Sequence, residues 1–342
     1  MKRILIIRLS AIGDVVMASG LIPALRTRWP QAHLAWLTEP GTAGLLSANP
    51  RLDQIIVWPR QEWRNLLRAR RYGRLLSALL AFVRTLRGQR FDLVLDTQGL
   101  LKSAIWARAS GARRRIGINS REGTRWLLTD TITAAPDDPG IGSEYRELAT
   151  FLGAPASAFA LDLVLAGAEH AAAAGHLEAA GVEPSYAVLC PFTTRPQKHW
   201  FEERWRELAQ MLRGDLGLTP VLLGGPHDRE AAARIAAGGV AVDMAGRLPL
   251  AQSAALIAGA RLLIGVDTGL THMGVAAGVP TVALFGSTRP YRETGRANVR
   301  ILYHELACAP CRRHPSCDEA YDCMRLHTPA TVLVAAAEAI ST

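Results

Sequence analysis

Residues 265–272 read GVDTGLTH and combine the residue types of a ligand-binding turn. An apolar run at 262–266 predicts a strand, and small residues that favour a helix follow the Asp-Thr-Gly step. Where a helix starts at the carboxyl end of a parallel strand, its unpaired N–H groups favour phosphorylated ligands. Asp267, Thr268 and His272 would add polar groups to such a site. The same pattern also fits a helix that is merely capped by Asp267 or Thr268.

The first predicted strand ends in the loop SAIGDVV at residues 10–16, which carries Asp14. The G-x-G-x-x-G pattern of a dinucleotide-binding loop is absent here, because Gly13 stands alone. A dehydrogenase is therefore not expected. Asp14 at the start of a helix either complements the helix dipole or acts as a general base on a substrate hydroxyl.

Two further strand ends carry polar side chains. One loop offers the hydroxyls of Thr193 and Thr194 and then Lys198, one of only three lysines in a chain with 36 arginines. A compact ammonium group suits a pyrophosphate site. The other loop, Gly-Gly-Pro-His-Asp, ends at Asp228, a carboxylate suited to ribose hydroxyls, although Gly-Gly-Pro is also ordinary turn chemistry.

A cysteine cluster lies near the end of the chain, within the loop 307–324. Disulfides are disfavoured in the cytoplasm, and four thiolates at this spacing favour a structural zinc or iron ion over unligated thiols. The four predicted ligands are Cys308, Cys311, Cys317 and Cys323.

Strand-length apolar runs alternate with helical periodicity along the whole chain of 342 residues. This alternation predicts an α/β fold with parallel sheets and right-handed crossovers. A segment rich in proline and glycine at 133–142 is the best linker candidate. We therefore predict two Rossmann-like domains that face each other across a cleft, at residues 1–150 and 151–342. A long Arg-rich helix is expected after the third strand.

The excess of positive over negative charge is confined to the first half of the chain. Residues 1–150 hold 23 basic and 12 acidic residues, whereas residues 151–342 hold 16 and 18. This excess predicts an anionic partner such as an anionic lipid or a phosphorylated acceptor. A nucleic acid is not expected, because no nucleic-acid-binding signature accompanies the charge.

Neither a signal-peptide pattern nor an apolar run of about 20 residues occurs in the sequence. The protein is predicted to be cytoplasmic and to act on any membrane from its surface.

Four motifs in this order resemble the ADP-heptose:lipopolysaccharide heptosyltransferases of Gram-negative bacteria. They are SAIGDVV, DTQGLLKSA at Asp96–Ala104, TTRPQKHWFEERW at Thr193–Trp205 and GVDTGLTH. The resemblance implies a GT-B fold and transfer of a heptose with inversion. It implies no metal in catalysis, and it places the acceptor in the first domain and the nucleotide sugar in the second.

The resemblance also implies roles for single residues. Asp14 matches the catalytic base, and Lys198 would stabilise the departing ADP. The expected donor contacts are Thr193, Thr194, Lys198, Asp228, Leu248, Asp267, Thr268, Gly269 and His272.

The basic first domain would then bind an anionic lipid A/inner-core (Kdo-lipid A type) acceptor at the cytoplasmic face of the inner membrane. Arg60, Lys102 and Arg121 are predicted contacts of that acceptor. Two alternatives remain open: an inverting transferase of the same fold that uses another nucleotide sugar, and a noncatalytic protein that binds a sugar nucleotide or lipid A.

Overall fold

The computed structural model describes residues 1–135, 137–311 and 314–342. The chain divides into two units, each built on one parallel six-stranded sheet. The first unit comprises Met1–Asp138 and Gly142–Val164, and the second comprises Pro139–Ile141 and Leu165–Thr342. The predicted α/β fold with two parallel sheets is confirmed.

The first sheet has the order β3-β2-β1-β4-β5-β6. Its central strands are short runs of aliphatic residues that are buried on both faces, as parallel sheets covered by helices require. The strands are β1 (Arg3–Ile7), β2 (His33–Thr38), β3 (Gln54–Val57), β4 (Leu93–Asp96), β5 (Arg114–Ile118) and β6 (Asp130–Ile132).

Helices cover both faces of the first sheet, and each face has its own apolar core. The helices of this unit are α1 (Ile12–Ala18), α2 (Leu21–Arg28), α3 (Pro40–Ala43), α4 (Arg60–Arg68), α5 (Tyr72–Gly88), α6 (Leu101–Ala109) and α7 (Ser143–Phe151). The expected single Arg-rich helix is in fact two, α4 and α5. The break contains Arg70, whose φ of 54° lies in the left-handed region and ends regular helix geometry.

The second unit follows the same plan, with the strand order β12-β11-β10-β7-β8-β9. Its strands are β7 (Tyr186–Cys190), β8 (Thr219–Leu222), β9 (Val242–Asp243), β10 (Leu262–Val266), β11 (Thr281–Leu284) and β12 (Val299–Leu302). Its helices are α8 (Gly167–Ala179), α9 (Glu202–Asp215), α10 (Arg229–Ala236), α11 (Leu250–Ala258), α12 (Gly269–Ala277), α13 (Asp322–Arg325) and α14 (Pro329–Ser341).

Each sheet reverses its direction of growth once. In the first unit the reversal lies between β1 and β4, and in the second it lies between β7 and β10. The loops that follow the two strands at such a point diverge and leave a crevice at the carboxyl edge of the sheet, where ligands bind in open α/β folds. The fold therefore provides one crevice in each unit.

The predicted domain boundary after residue 150 falls inside α7. This helix belongs to the first unit, because Tyr145, Leu148 and Ala149 are buried in the core of that unit, and the unit continues to Val164. The chain also enters the second unit within the predicted linker, before it returns to the first unit at Gly142. Ile141 donates a backbone hydrogen bond to Glu293 O (2.8 Å), so a short stretch of the linker belongs to the second unit.

Three residues from these predicted segments, Pro136 of the linker and Arg312 and Arg313 of the Cys-rich loop, lie outside the described residues. Among the residues that are described, none of the helices is long and apolar enough to cross a membrane.

Candidate active site

Asp14 lies in the first turn of α1, directly after β1, on one side of the crevice of the first unit. Its carboxylate forms an ion pair with the guanidinium group of Arg8, and the Asp14 side chain keeps 37% of its surface exposed. Arg8 itself is buried. The carboxylate is therefore held from the protein side while remaining open to a substrate.

Arg8 is fixed by more than Asp14. Its guanidinium also donates to the backbone oxygen of Thr97, which follows β4, and it lies over the ring of Tyr145 at 5.8 Å. Burial by itself would lower the pKa of Arg8, but the interactions with Tyr145 and Asp14 outweigh it and raise the pKa. A buried cation that is held on several sides gives Asp14 a defined orientation.

The other side of this crevice is the loop after β4. The backbone N–H groups of Gln98 and Gly99 donate to Asp96 Oδ1 at 3.1 and 3.2 Å. Gly99 has a φ of 66°, and a side chain there would collide with the backbone oxygen of Asn119. The sequence DTQGLLKSA thus folds into a tight turn that starts α6 and positions Lys102.

Lys102 and Arg60, two of the predicted acceptor contacts, converge on one carboxylate. Glu39 Oε1 lies 3.5 Å from Lys102 Nζ and 3.3 Å from Arg60 Nη1. Lys102 also donates to Ser10 Oγ at 3.0 Å, within the loop that leads to Asp14. Two cations therefore gather around Glu39, and one of them contacts the loop that leads to Asp14.

Arg121, the third predicted acceptor contact, lies after β5. Its backbone N–H donates to Gly99 O at 2.8 Å, so it lies against the same turn that positions Lys102. The structure records this backbone contact and no side-chain link between Arg121 and the Glu39 cluster within the described chain.

The crevice of the second unit contains Lys198 and Asp267, which come from the two strands at the reversal. Lys198 ends the 3₁₀ turn after β7, and Asp267 directly follows β10. Their side chains form an ion pair, and only 15% and 14% of their surfaces are exposed. Thr288 donates to the same carboxylate oxygen at 2.5 Å, and His272 Nε2 lies 3.4 Å from the other oxygen.

Asp267 is stabilised as a carboxylate. Burial alone would raise its pKa, but His272 and then Lys198 outweigh that effect and hold the pKa well below its usual range. His272 is oriented in turn through Nδ1, which lies 3.0 Å from the Tyr291 hydroxyl. This phenol stays neutral, because burial raises the pKa of Tyr291 far above its ordinary value. Asp267 is therefore a fixed acceptor of hydrogen bonds.

Thr268 is the N-cap residue of α12, and Gly269 begins the helix. The Thr268 side chain makes no capping hydrogen bond to the helix in the described part of the chain. Thr268 therefore holds the N-cap position that the sequence allowed for it, although its hydroxyl does not bond to the helix. The first N–H groups of α12 have no partner within the helix, as at every helix N-terminus, and they directly follow Asp267 in the chain.

The remaining predicted donor residues follow the neighbouring strands. Thr193 and the exposed Thr194 lie after β7, and the backbone oxygen of Thr193 lies 2.8 Å from His199 Nε2. Asp228 follows β8, where its carboxylate accepts from Gly225 N at 2.7 Å, and the partly buried Leu248 follows β9. All the predicted donor residues therefore lie at one edge of one sheet.

Several residues of these sites were not predicted from the sequence. Arg8 carried a signal, since a charged residue directly after a buried strand is uncommon unless it is paired. Glu39, Thr288 and Tyr291 carried none, because they reach the sites from loops that are distant in sequence.

The four cysteines of the cluster are free thiols that line one small cavity together with Gln197 and Ser287. Burial, followed by the neighbouring thiolates, raises the pKa of Cys323 to about 11. The described residues contain no group of three or more His, Cys, Asp or Glu side chains placed to bind a metal ion. The predicted zinc or iron site is therefore not supported by the placement of these thiols, which ranges from the exposed Cys308 to the buried Cys323.

Comparison with known proteins identifies relatives of the whole chain. The family described as "Glycosyltransferase family 9 (heptosyltransferase)" matches residues 79–321. A lipopolysaccharide heptosyltransferase 1 from Pseudomonas aeruginosa is 32% identical over 314 residues, which are 90% of this chain and 86% of that protein.

Solved structures of heptosyltransferases and of a family 9 glycosyltransferase share the fold of this chain. The glycosyl transferase family 9 structure from Veillonella parvula superimposes with a TM-score of 0.86 at 21% identity, covering 99% of this chain and 97% of that one. The Escherichia coli heptosyltransferase WaaC with ADP-2-deoxy-2-fluoro heptose has a TM-score of 0.67 at 28% identity, covering 89% and 93%.

Proposed function

The chain belongs to glycosyltransferase family 9, the heptosyltransferases, and we propose that it transfers a heptose from ADP-heptose to a lipopolysaccharide inner-core acceptor, with inversion and with Asp14 as general base. The observation that carries this proposal is the placement of the two motif sets at the two sheet reversals. Asp14 and Lys102 follow β1 and β4, and Lys198 and Asp267 follow β7 and β10.

The second unit binds the donor in this proposal. The similar structure of Escherichia coli WaaC holds ADP-2-deoxy-2-fluoro heptose. Lys198 and the N-terminus of α12 supply positive charge for the diphosphate, and the hydroxyls of Thr193 and Thr194 donate hydrogen bonds to it. Asp267 holds heptose hydroxyls as a fixed acceptor, next to Thr268, Gly269 and His272. Asp228 accepts from the ribose, and Leu248 packs near the adenine.

The first unit binds the acceptor. Asp14 keeps a partly exposed carboxylate, and Lys102 contacts Ser10 in the loop that leads to it. Arg60 shares Glu39 with Lys102, and Arg121 lies on the adjoining turn. This cluster suits the phosphate and carboxylate groups of an inner-core acceptor.

The reaction is a single displacement at the anomeric carbon. The acceptor oxygen forms a bond to that carbon as the bond to the β-phosphate oxygen of ADP breaks, and the acceptor proton passes to the Asp14 carboxylate. Positive charge develops on the sugar ring and negative charge on the leaving diphosphate. Lys198 and the α12 N–H groups stabilise the diphosphate as its charge grows, which is where fixed charges accelerate a reaction most.

The Cys cluster takes no part in this step, and the proposal includes neither zinc nor iron as a cofactor. We place the protein on the cytoplasmic face of the inner membrane, because the acceptor is anchored there by lipid A. The excess positive charge of residues 1–150 supports contact with an anionic surface.

The proposal is tested by incubating the protein with ADP-heptose and truncated core acceptors, and then weighing the products and determining the anomeric configuration. GDP- and UDP-sugars serve as alternative donors. Asp14→Asn should reduce turnover by about 100-fold or more, the range for loss of a general base, while ADP binding is retained. Asp130→Asn, on the edge strand β6, is the matched control. Unreduced turnover in Asp14→Asn would refute the assignment of Asp14 as the general base. Transfer from GDP- or UDP-sugars, without transfer from ADP-heptose, would refute the assignment of the donor.

A further inference from the structure

The helix α5 has large apolar side chains on its outer face. Tyr72, Leu76 and Leu80 are 60%, 58% and 47% exposed, and their spacing of four residues places them along one side of the helix. The adjoining side of α5, which carries Leu79 and Phe82, packs on the apolar core of the first sheet. A surface helix of a soluble domain normally turns polar residues outward, so this face requires a partner. We refer to Tyr72, Leu76 and Leu80 as the α5 outer face.

Neighbouring elements extend the apolar surface. Leu67 of α4 and Leu101 and Ile105 of α6 are about half exposed, and Trp126, in the 3₁₀ turn that contacts α6, is 92% exposed. The helices α4, α5 and α6 all pack on the same face of the first sheet. Among the described residues, most of the exposed large apolar side chains belong to this one region of the first unit.

The charge around this surface is one-sided. Between Arg60 and Arg90 the sequence contains nine arginines and a single acidic residue, Glu62. The exposed Arg68, Arg71 and Arg74 surround the break between α4 and α5, and α5 itself contains no acidic residue. An apolar stripe whose neighbours are mostly basic is the composition of helices that lie in the interface of an anionic bilayer.

The same helices hold the proposed acceptor contacts. Arg60 begins α4 and Lys102 lies in the first turn of α6. We propose that the α5 outer face, with Trp126 and the surrounding arginines, docks the protein on an anionic lipid bilayer. This inference rests on the proposed function in one respect: docking through these helices brings Arg60 and Lys102 close to the headgroups from which a lipid-anchored acceptor projects.

Docking is tested by sedimentation of the full chain with vesicles. Phosphatidylethanolamine vesicles that contain phosphatidylglycerol are compared with pure phosphatidylcholine vesicles. The wild type should bind the anionic vesicles, and binding should weaken with salt because exposed charges are screened. The triple variant Tyr72→Ser/Leu76→Ser/Leu80→Ser should lower the partition coefficient at least about 10-fold, since three apolar side chains no longer leave water.

The matched control is Val334→Ser, which removes an apolar side chain of 60% exposure from α14 in the second unit. It should bind vesicles like the wild type. All three positions of the triple variant are exposed, so the melting temperature should stay unchanged. Equal binding by the wild type and the triple variant, or no binding of the wild type to anionic vesicles, would overturn the proposal. So would a concentration-dependent dimer that the triple variant abolishes without any vesicle binding, because it would assign the surface to a second copy of the chain.

An activity comparison separates this inference from the proposed function. With an acceptor embedded in vesicles, the triple variant should lose transfer in proportion to its lost binding. With a water-soluble, delipidated acceptor it should match the wild type. Absence of transfer by the wild type to either acceptor would refute the proposed function while leaving the vesicle-binding result to stand or fall by itself.

Discussion

The ammonium group of Lys198 is paired with the carboxylate of Asp267 across the reversal of the second sheet, and both side chains are more than four-fifths buried. Asp267 thus holds Lys198 at the carboxyl edge of the sheet, next to the start of α12. In the proposed reaction Lys198 must contact the diphosphate while Asp267 contacts the sugar. The ion pair therefore fixes the position of both side chains, each of which contacts a different part of the donor.

This pairing predicts a non-additive effect on stability. Lys198→Met leaves the buried Asp267 with only His272 and Thr288, and should lower the free energy of unfolding by on the order of 2 kcal/mol. Lys198→Met/Asp267→Asn removes the charge as well and should regain most of that loss. Urea denaturation of the wild type, the two single variants and the double variant measures the coupling, and additive effects would show that the pair is not coupled. All three variants should lose donor affinity in calorimetric titrations.

Arg8 predicts a positioning effect on Asp14. Arg8→Lys keeps the positive charge but loses the planar contact with both Asp14 and the Thr97 oxygen. We expect kcat to fall between about 10- and 100-fold through misplacement of the base, with both KM values unchanged. Arg26→Lys, which alters another ion pair of the same unit, with Asp53, is the control. A purely structural role for Arg8 would instead lower the melting temperature and leave kcat per folded molecule intact.

Removal of the negative charge of Glu39 should increase the affinity for the acceptor. In the structure its carboxylate forms ion pairs with Lys102 and Arg60, the two cations that we assign to acceptor binding. Glu39→Gln should lower the acceptor KM, whereas Lys102→Met should raise it about 10-fold, the value of one charge-assisted hydrogen bond. The KM for ADP-heptose should stay constant in both variants. Glu62→Gln, an exposed acidic residue on α4, controls for net charge, and an equal change in that variant would contradict a specific role for Glu39.

His327 predicts a loss of stability in mild acid. Burial, together with His304 and Arg204, lowers the pKa of His327 to about 4, despite the favourable contact with Phe285 O. Well above pH 6.5 the imidazole is neutral in both the folded and the unfolded chain, so it has no effect on the free energy of unfolding. As the pH falls from 6.5 to 4, the unfolded chain takes up a proton that the folded protein does not, so stability falls by roughly 3 kcal/mol, which is 1.36 kcal/mol per pKa unit.

The measurement is chemical denaturation at pH 7 and at pH 4.5. His327→Gln keeps a hydrogen-bond donor for the Phe285 oxygen but does not titrate, so this variant should lack the His327 part of the pH slope. An identical slope in the wild type and the variant would contradict the assignment.

The secondary-structure elements and the chemically active residues that they carry follow from the amino-acid sequence alone. Short aliphatic runs alternating with helical periodicity dictate parallel α/β sheets, because both faces of such strands must be covered by helices. The polar residues after these runs, from Asp14 to Asp267, were recognisable for the same reason, since the carboxyl ends of parallel strands share one edge. The sequence pattern did not predict where the Arg-rich segment breaks into two helices, because that break depends on the left-handed backbone conformation of Arg70.

The pairing of side chains within the two sites depends instead on the three-dimensional fold. That Lys198 meets Asp267, that Arg8 holds Asp14, and that Glu39 gathers Lys102 and Arg60 follow from strand order and loop path. The same holds for the cysteines, whose spacing suggested a metal site that the described residues do not assemble. Residue type and spacing act over a few positions, whereas contacts between distant loops depend on how the whole sheet is ordered and packed. For that reason the fold and the site motifs could be predicted, but the partners within the sites could not.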